Sequence, residues 1–91
     1  MPQPAVLIVE DDDMMGALLA AFLEKSGYDA VLAPSAAKMA EETGRRTFDA
    51  IVLDLGLPDE DGLVLARRLR AASQVPILVL TARQDKDNRI A

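Results

Sequence analysis

Short apolar runs alternate with amphipathic stretches along the chain. Residues 5–9, Ala-Val-Leu-Ile-Val, form an uninterrupted apolar run rich in branched side chains, which predicts a strand buried on both faces. Asp11, Asp12 and Asp13 follow. Acidic side chains there offer N-caps and dipole-favourable charge for a helix over residues 14–26. Leu18, Leu19, Phe22 and Leu23 supply its apolar face, and Gly27 stands where a helix end calls for a left-handed residue. A second, weaker strand is expected over 28–33. Ser35 can cap a second helix reaching residue 46, with Met39, Ala40 and Thr43 on its inner side. Residues 49–53 predict a third strand with Asp54 at its carboxyl end, and a breaker-rich loop through Gly56, Pro58 and Gly62 follows. The third helix is expected over 63–72, with Leu65 and Leu69 four residues apart. Pro76 opens a fourth strand over 77–80 that runs into Thr81-Ala-Arg83. Asp85 and Lys86 look like the start of a fourth helix, within which the sequence stops.

Repeated strand–helix units of this length require right-handed crossovers, hence a parallel sheet with helices on both faces. The expected fold is α/β, doubly wound, in one domain over residues 1–91. There is no internal repeat, linker or low-complexity segment.

Composition narrows the chemistry. The chain has no cysteine and no histidine, which removes disulfides, thiolate or imidazole metal sites and His- or Cys-based nucleophilic catalysis. A net charge of −5 disfavours nonspecific nucleic-acid binding, which rests on lysine and arginine neutralising phosphates. Arg67, Arg68 and Arg70 are the only basic cluster, and their helical spacing makes them a solvated face. Neither a secretion signal nor a membrane-length apolar run is visible, so the cytoplasm is the expected location.

Position singles out three acids. Glu10 and Asp11 follow the first strand, and Asp54 ends the third. Ligands of doubly wound sheets bind beyond the carboxyl ends of strands, where strand order reverses. If the first and third strands are neighbours, the three carboxylates converge there. Like charges ~4 Å apart repel by about 4 kcal/mol per pair at an effective dielectric of ~20. Protonating one of them relieves this, and so does a hard divalent cation. Mg²⁺ suits such a site, since it takes one or two carboxylates together with waters and phosphoryl oxygens. A carboxylate beside it can attack phosphorus to give an aspartyl-phosphate. Thr81 could then hydrogen-bond a phosphoryl oxygen, with Ala82 leaving room for it. Plainer readings stand beside these: Asp11, Asp12 and Asp13 as caps, Asp54 as a strand-terminating loop residue, Thr81 as an ordinary strand residue, and Gly56, Pro58 and Gly62 as turn punctuation.

The blocks Val6-Leu-Ile-Val-Glu-Asp-Asp12, Asp49-Ala-Ile-Val-Leu-Asp-Leu-Gly-Leu-Pro58 with Gly62, and Val75-Pro-Ile-Leu-Val-Leu-Thr-Ala-Arg83 resemble the receiver (response-regulator) domain of bacterial two-component signalling. The resemblance implies a flavodoxin-like sheet of order 2-1-3-4, with Glu10, Asp11, Asp54 and the Gly56 backbone carbonyl around Mg²⁺. It implies that Asp54 accepts a phosphoryl group from a histidine kinase or phosphotransfer protein, with Thr81 as the switch hydroxyl beside Ala82. It also implies a signalling domain rather than an enzyme. The Thr-Ala-Arg ending is similar to receivers that carry a DNA-binding output domain.

Receivers continue into a fifth strand ending in a lysine, a switch aromatic and a last helix, none of which is found before Ala91. The chain is therefore expected to be a C-terminally truncated piece of a longer regulator. Its fourth strand is expected to be an exposed edge that recruits a second copy. A receiver that signals without phosphate, purely as an interaction module, is the alternative. A haloacid-dehalogenase-type phosphohydrolase fits poorly, because Gly56 stands where a second acid is needed. A Rossmann nucleotide site fits worse, because Glu-Asp-Asp-Asp replaces the glycine-rich turn.

Overall fold

The computed structural model describes residues 3–54, 56, 57, 59 and 61–80. Four strands and three helices alternate: β1 (Ala5–Val9), α1 (Asp13–Lys25), β2 (Asp29–Ala33), α2 (Ala36–Arg45), β3 (Ala50–Asp54), α3 (Gly62–Ala72) and β4 (Ile77–Leu80). The strands form one sheet in the order β2-β1-β3-β4, and every pairing is parallel. This is the expected α/β architecture and strand order. No helix among the described residues is long and apolar enough to cross a membrane.

Alternation along β1 and β3 divides the core in two. Leu7, Val9, Ile51 and Leu53 pack with Ala36 and Met39 of α2 and Leu65 of α3. Val6, Ile8 and Val52 face the other way, against Leu19, Ala20 and Leu23 of α1. The strands are clasped at their amino-terminal ends. The Asp49 N–H donates to the Ala5 carbonyl at 2.7 Å, and the Ala5 N–H donates back to Asp49 Oδ2 at 2.7 Å.

The helix ends follow from local chemistry. Asp12 caps α1, accepting from the N–H groups of Met14 and Met15 at 3.0 and 3.1 Å. The helix stops at Ser26, and Gly27 carries the chain out with φ of 98°, the left-handed region open to glycine. Ser35 caps α2 by accepting from the Lys38 N–H, and Asp61 caps α3 by accepting from the Leu63 N–H at 2.8 Å. Arg67, Arg68 and Arg70 are exposed on α3, as their spacing implies.

Two helix faces differ from expectation. On α1, Leu19 and Leu23 pack inward, but Leu18 and Phe22 are 64% and 66% exposed, and Gly16 is the buried residue. Gly16 eases close approach of the helix, since a Cβ there would stand 3.3 Å from a methyl of Leu32, which would have to shift by a few tenths of an ångström. On α2 the buried residues are Ala36, Met39 and Glu42, while Ala40 and Thr43 are exposed. Ala40 and Thr43 instead line a groove of about 450 Å³ that separates α2 from Leu65 and Leu69 of α3. Glu42 is tolerated inside because Arg45 donates to both its carboxylate oxygens at 3.3 Å. On β4, Leu78 is 62% exposed, because α1 covers β1 and β2 instead. The fourth helix anticipated at Asp85 and Lys86 lies outside the described residues.

Leu65 is 2% exposed and joins α3 to the sheet. Leu65→Ala should destabilise the fold by about 2–5 kcal/mol, the range for truncating a buried leucine. Urea denaturation checks this, and a loss below about 1 kcal/mol would mean that α3 does not carry that packing.

Candidate functional site

Register brings the acids together. Val9 pairs with Leu53, so Glu10 and Asp54 are the next residues on adjacent strands. Alternation turns Glu10 to the side of Ile8 and Asp54 to that of Val52, which is the α1 side of the sheet. Asp11 lies in the turn between β1 and α1. Carboxylate oxygens of Glu10, Asp11 and Asp54 all lie within 4.8 Å of one another. Glu10 and Asp54 are 7% and 3% exposed, and Asp11 is half-buried.

Backbone donors orient the two buried acids. The Asp12 N–H donates to Glu10 Oε2 at 3.0 Å. The Glu10 N–H is bonded to the Ala33 carbonyl at 3.0 Å, carrying the sheet ladder into the site. The Gly56 N–H donates to Asp54 Oδ1 at 3.2 Å, so the loop after β3 turns back over the nucleophile candidate. Gly16 also borders the site, since its Cβ position is 3.9 Å from Glu10 Cγ.

At 4.8 Å two carboxylates repel by about 3.5 kcal/mol at an effective dielectric of ~20. Oxygens around Mg²⁺ at ~2.1 Å are separated by about 3–4.2 Å, so carboxylates already gathered within 4.8 Å need only small side-chain adjustments to share one ion. The donors are all oxygen, which suits a hard cation. The residues present therefore fit the metal that the sequence implied.

Asp12 does not join the cluster; its Oδ1 caps α1 instead. Thr81 and Ala82 lie outside the described residues. Asp59 went unnoticed in the sequence. Its Oδ1 and Oδ2 accept from the N–H groups of Ala36 and Ala37 at 2.9 and 3.1 Å, bridging the β3–α3 segment to the start of α2. Its partners are 23 and 22 residues away, beyond any local capping pattern. The Ala36 N–H holds its carboxyl below the ordinary 3.8; desolvation opposes this, and the N–H groups of Ala37 and of Asp59 itself add to the lowering. A depressed folded-state value means that this cap supports the fold above the unfolded value and is lost as pH falls through the folded one.

Residues 6–91 match the model of the response regulator receiver domain. The chain belongs to that family. It is 39% identical over 85 residues to the TorCAD operon transcriptional regulatory protein TorR of Escherichia coli K12, covering 93% of this chain and 37% of that protein. The chain thus spans well under half the length of this curated relative. The solved receiver domain of the TMAO respiratory system response regulator TorR superposes with a TM-score of 0.83 at 38% identity, covering 96% of this chain and 72% of that one. A response regulator of Burkholderia pseudomallei, solved with a phosphorylated aspartic acid, calcium ion and citrate, gives 0.76 at 28% identity, covering 84% and 45%. The family is a signalling domain rather than a catalytic enzyme.

Repulsion among the three acids generates a direct test. Asp54→Asn keeps the side chain's shape and an oxygen for the Gly56 N–H, so in a chelator it should stabilise the receiver by about 1–3 kcal/mol. Added Mg²⁺ should narrow the gap. Thermal melts with and without the ion check both, and a less stable variant in chelator would mean that the charge is not a burden.

Proposed function

We propose that this receiver accepts a phosphoryl group on Asp54 with Mg²⁺ held by Glu10, Asp11, Asp54 and the Gly56 backbone carbonyl. The observation that carries the reading is the convergence of three carboxylates within 4.8 Å at the ends of β1 and β3. A bound Mg²⁺ would supply positive charge for the oxygens of the transferring group. Asp54 is the acid to modify because it ends a central strand, is almost fully buried, and is oriented by the Gly56 N–H. One of its carboxylate oxygens forms the new bond to phosphorus while the donor's bond to phosphorus breaks, its electron pair leaving with the donor. Thr81 is proposed as the hydroxyl that receives a phosphoryl oxygen, with Ala82 leaving space beside it. The phosphorylated aspartic acid of the Burkholderia relative supports the choice of group.

The donor we propose is a histidine kinase or phosphotransfer protein. Met14, Leu18 and Phe22 are 72%, 64% and 66% exposed and recur every four residues, forming an apolar stripe that starts beside the acidic cluster. Such a stripe suits a partner that must lay its own apolar surface close to Asp54. The matched relative is a transcriptional regulator, which supports a DNA-binding output in a longer protein and a cytoplasmic setting.

Intact-protein mass spectrometry after incubation with Mg²⁺ and acetyl phosphate should show one phosphoryl adduct, absent in Asp54→Asn. An adduct that survives in the variant would move the acceptor elsewhere. Leu18→Glu should keep the acetyl-phosphate adduct but slow its formation from a phosphorylated histidine kinase.

We also propose self-association of the 91-residue chain along β4, which among the described residues pairs on one side only and presents Leu78 on an open apolar face with Phe22. Sedimentation should reveal concentration-dependent dimers that Leu78→Lys dissociates; a monodisperse monomer at high concentration would remove this proposal.

A further inference from the structure

The start of α2 is built from two parts of the chain. Ser35 accepts from the Lys38 N–H at 3.1 Å, whereas the N–H groups of Ala36 and Ala37 are taken by Asp59, at 2.9 and 3.1 Å. α2 has no acidic residue in its own first turn. The negative charge that a helix N-terminus favours is therefore supplied from the segment between β3 and α3. That segment is anchored at neighbouring points. Gly56 bonds back to Asp54, Leu57 is buried in the core, Asp59 grips α2, and Asp61 caps α3. Asp59 is the anchor that ties the segment to a separate element across the sheet, and it stands three residues beyond Gly56.

We infer that Asp59 is a positioning residue for the metal site: by fastening the β3–α3 segment to the start of α2, it holds Gly56 where its backbone can serve the ion beside Asp54. The inference rests on the Mg²⁺ reading above and adds a residue to it. The link also runs in reverse. An ion that draws on Gly56 tightens the same segment, so the start of α2 should gain rigidity when Mg²⁺ binds.

Three variants test it: Asp59→Ala, Asp59→Asn, which keeps an acceptor oxygen, and Ser35→Ala, which weakens the same helix end without touching the segment. Mg²⁺ affinity is read by titration calorimetry, and the amide signals of Ala36 and Ala37 by NMR. Asp59→Ala should weaken Mg²⁺ binding roughly three- to tenfold, below the 10–100-fold typical of groups that directly support a ligand. Asp59→Asn should recover part of that loss, and Ser35→Ala should lower thermal stability while leaving the affinity within about twofold of the parent. In the parent, Mg²⁺ should shift the Ala36 and Ala37 amides, and Asp59→Ala should abolish that response. Equal losses of affinity in Ser35→Ala and Asp59→Ala would reduce Asp59 to a stabilising cap and overturn the inference. So would unchanged affinity in a folded Asp59→Ala; should that variant not fold, Asp59→Asn with full affinity and no amide response decides against it equally. A parent that binds no Mg²⁺ would instead overturn the metal reading itself, a separate outcome visible before any variant is made.

Discussion

Val9 is paired on both flanks, with Ala33 of β2 and Leu53 of β3, and the site inherits its geometry from that double register. A slip of one residue in either ladder would turn β1's side chains to the opposite face. It would also move Glu10 about 3.3 Å along the strand relative to Asp54, enough to break up the cluster. The register is protected by burial, since Leu7, Ile8 and Val9 are completely enclosed. Burying apolar side chains on both faces of β1 thus fixes where three charges meet, and the favourable packing offsets their repulsion.

Much of this could be read from the residues alone. The apolar runs at 5–9, 50–53 and 77–80 have the length of buried strands, and Ser35 and Gly27 mark helix boundaries by their own chemistry. The three acids were legible because each stands at, or just beyond, the carboxyl end of a strand. Inward faces were harder. α1 carries apolar residues around most of its circumference, so periodicity does not choose between Leu18 and Leu19. The inward face is the one that carries Gly16, buried beside Leu32, and a glycine adds nothing to a hydrophobic pattern. On α2, the groove toward α3 leaves Ala40 and Thr43 outside while Arg45 permits Glu42 to be buried. Neither a groove nor an ion pair of this kind leaves a hydrophobic pattern. Asp59 escaped for another reason, because its partners come from a different βα unit.

The sheet is fastened unevenly along its length. At the end where the strands begin, Asp49 and Ala5 exchange two bonds of 2.7 Å, one through a side chain and one through the backbone. At the opposite end three carboxylates lie within 4.8 Å of one another, and their repulsion works against the pairing of Val9 with Leu53. The base is therefore held by hydrogen bonds, and the upper end by the burial of Val9 and Leu53 against that repulsion. Among the amide protons of β1 and β3, those near Val6 and Ala50 should exchange with solvent more slowly than those around Glu10 and Asp54. Any opening at the upper end need not unthread the strands, because the Asp49–Ala5 pair at the base retains the alignment to which they must return.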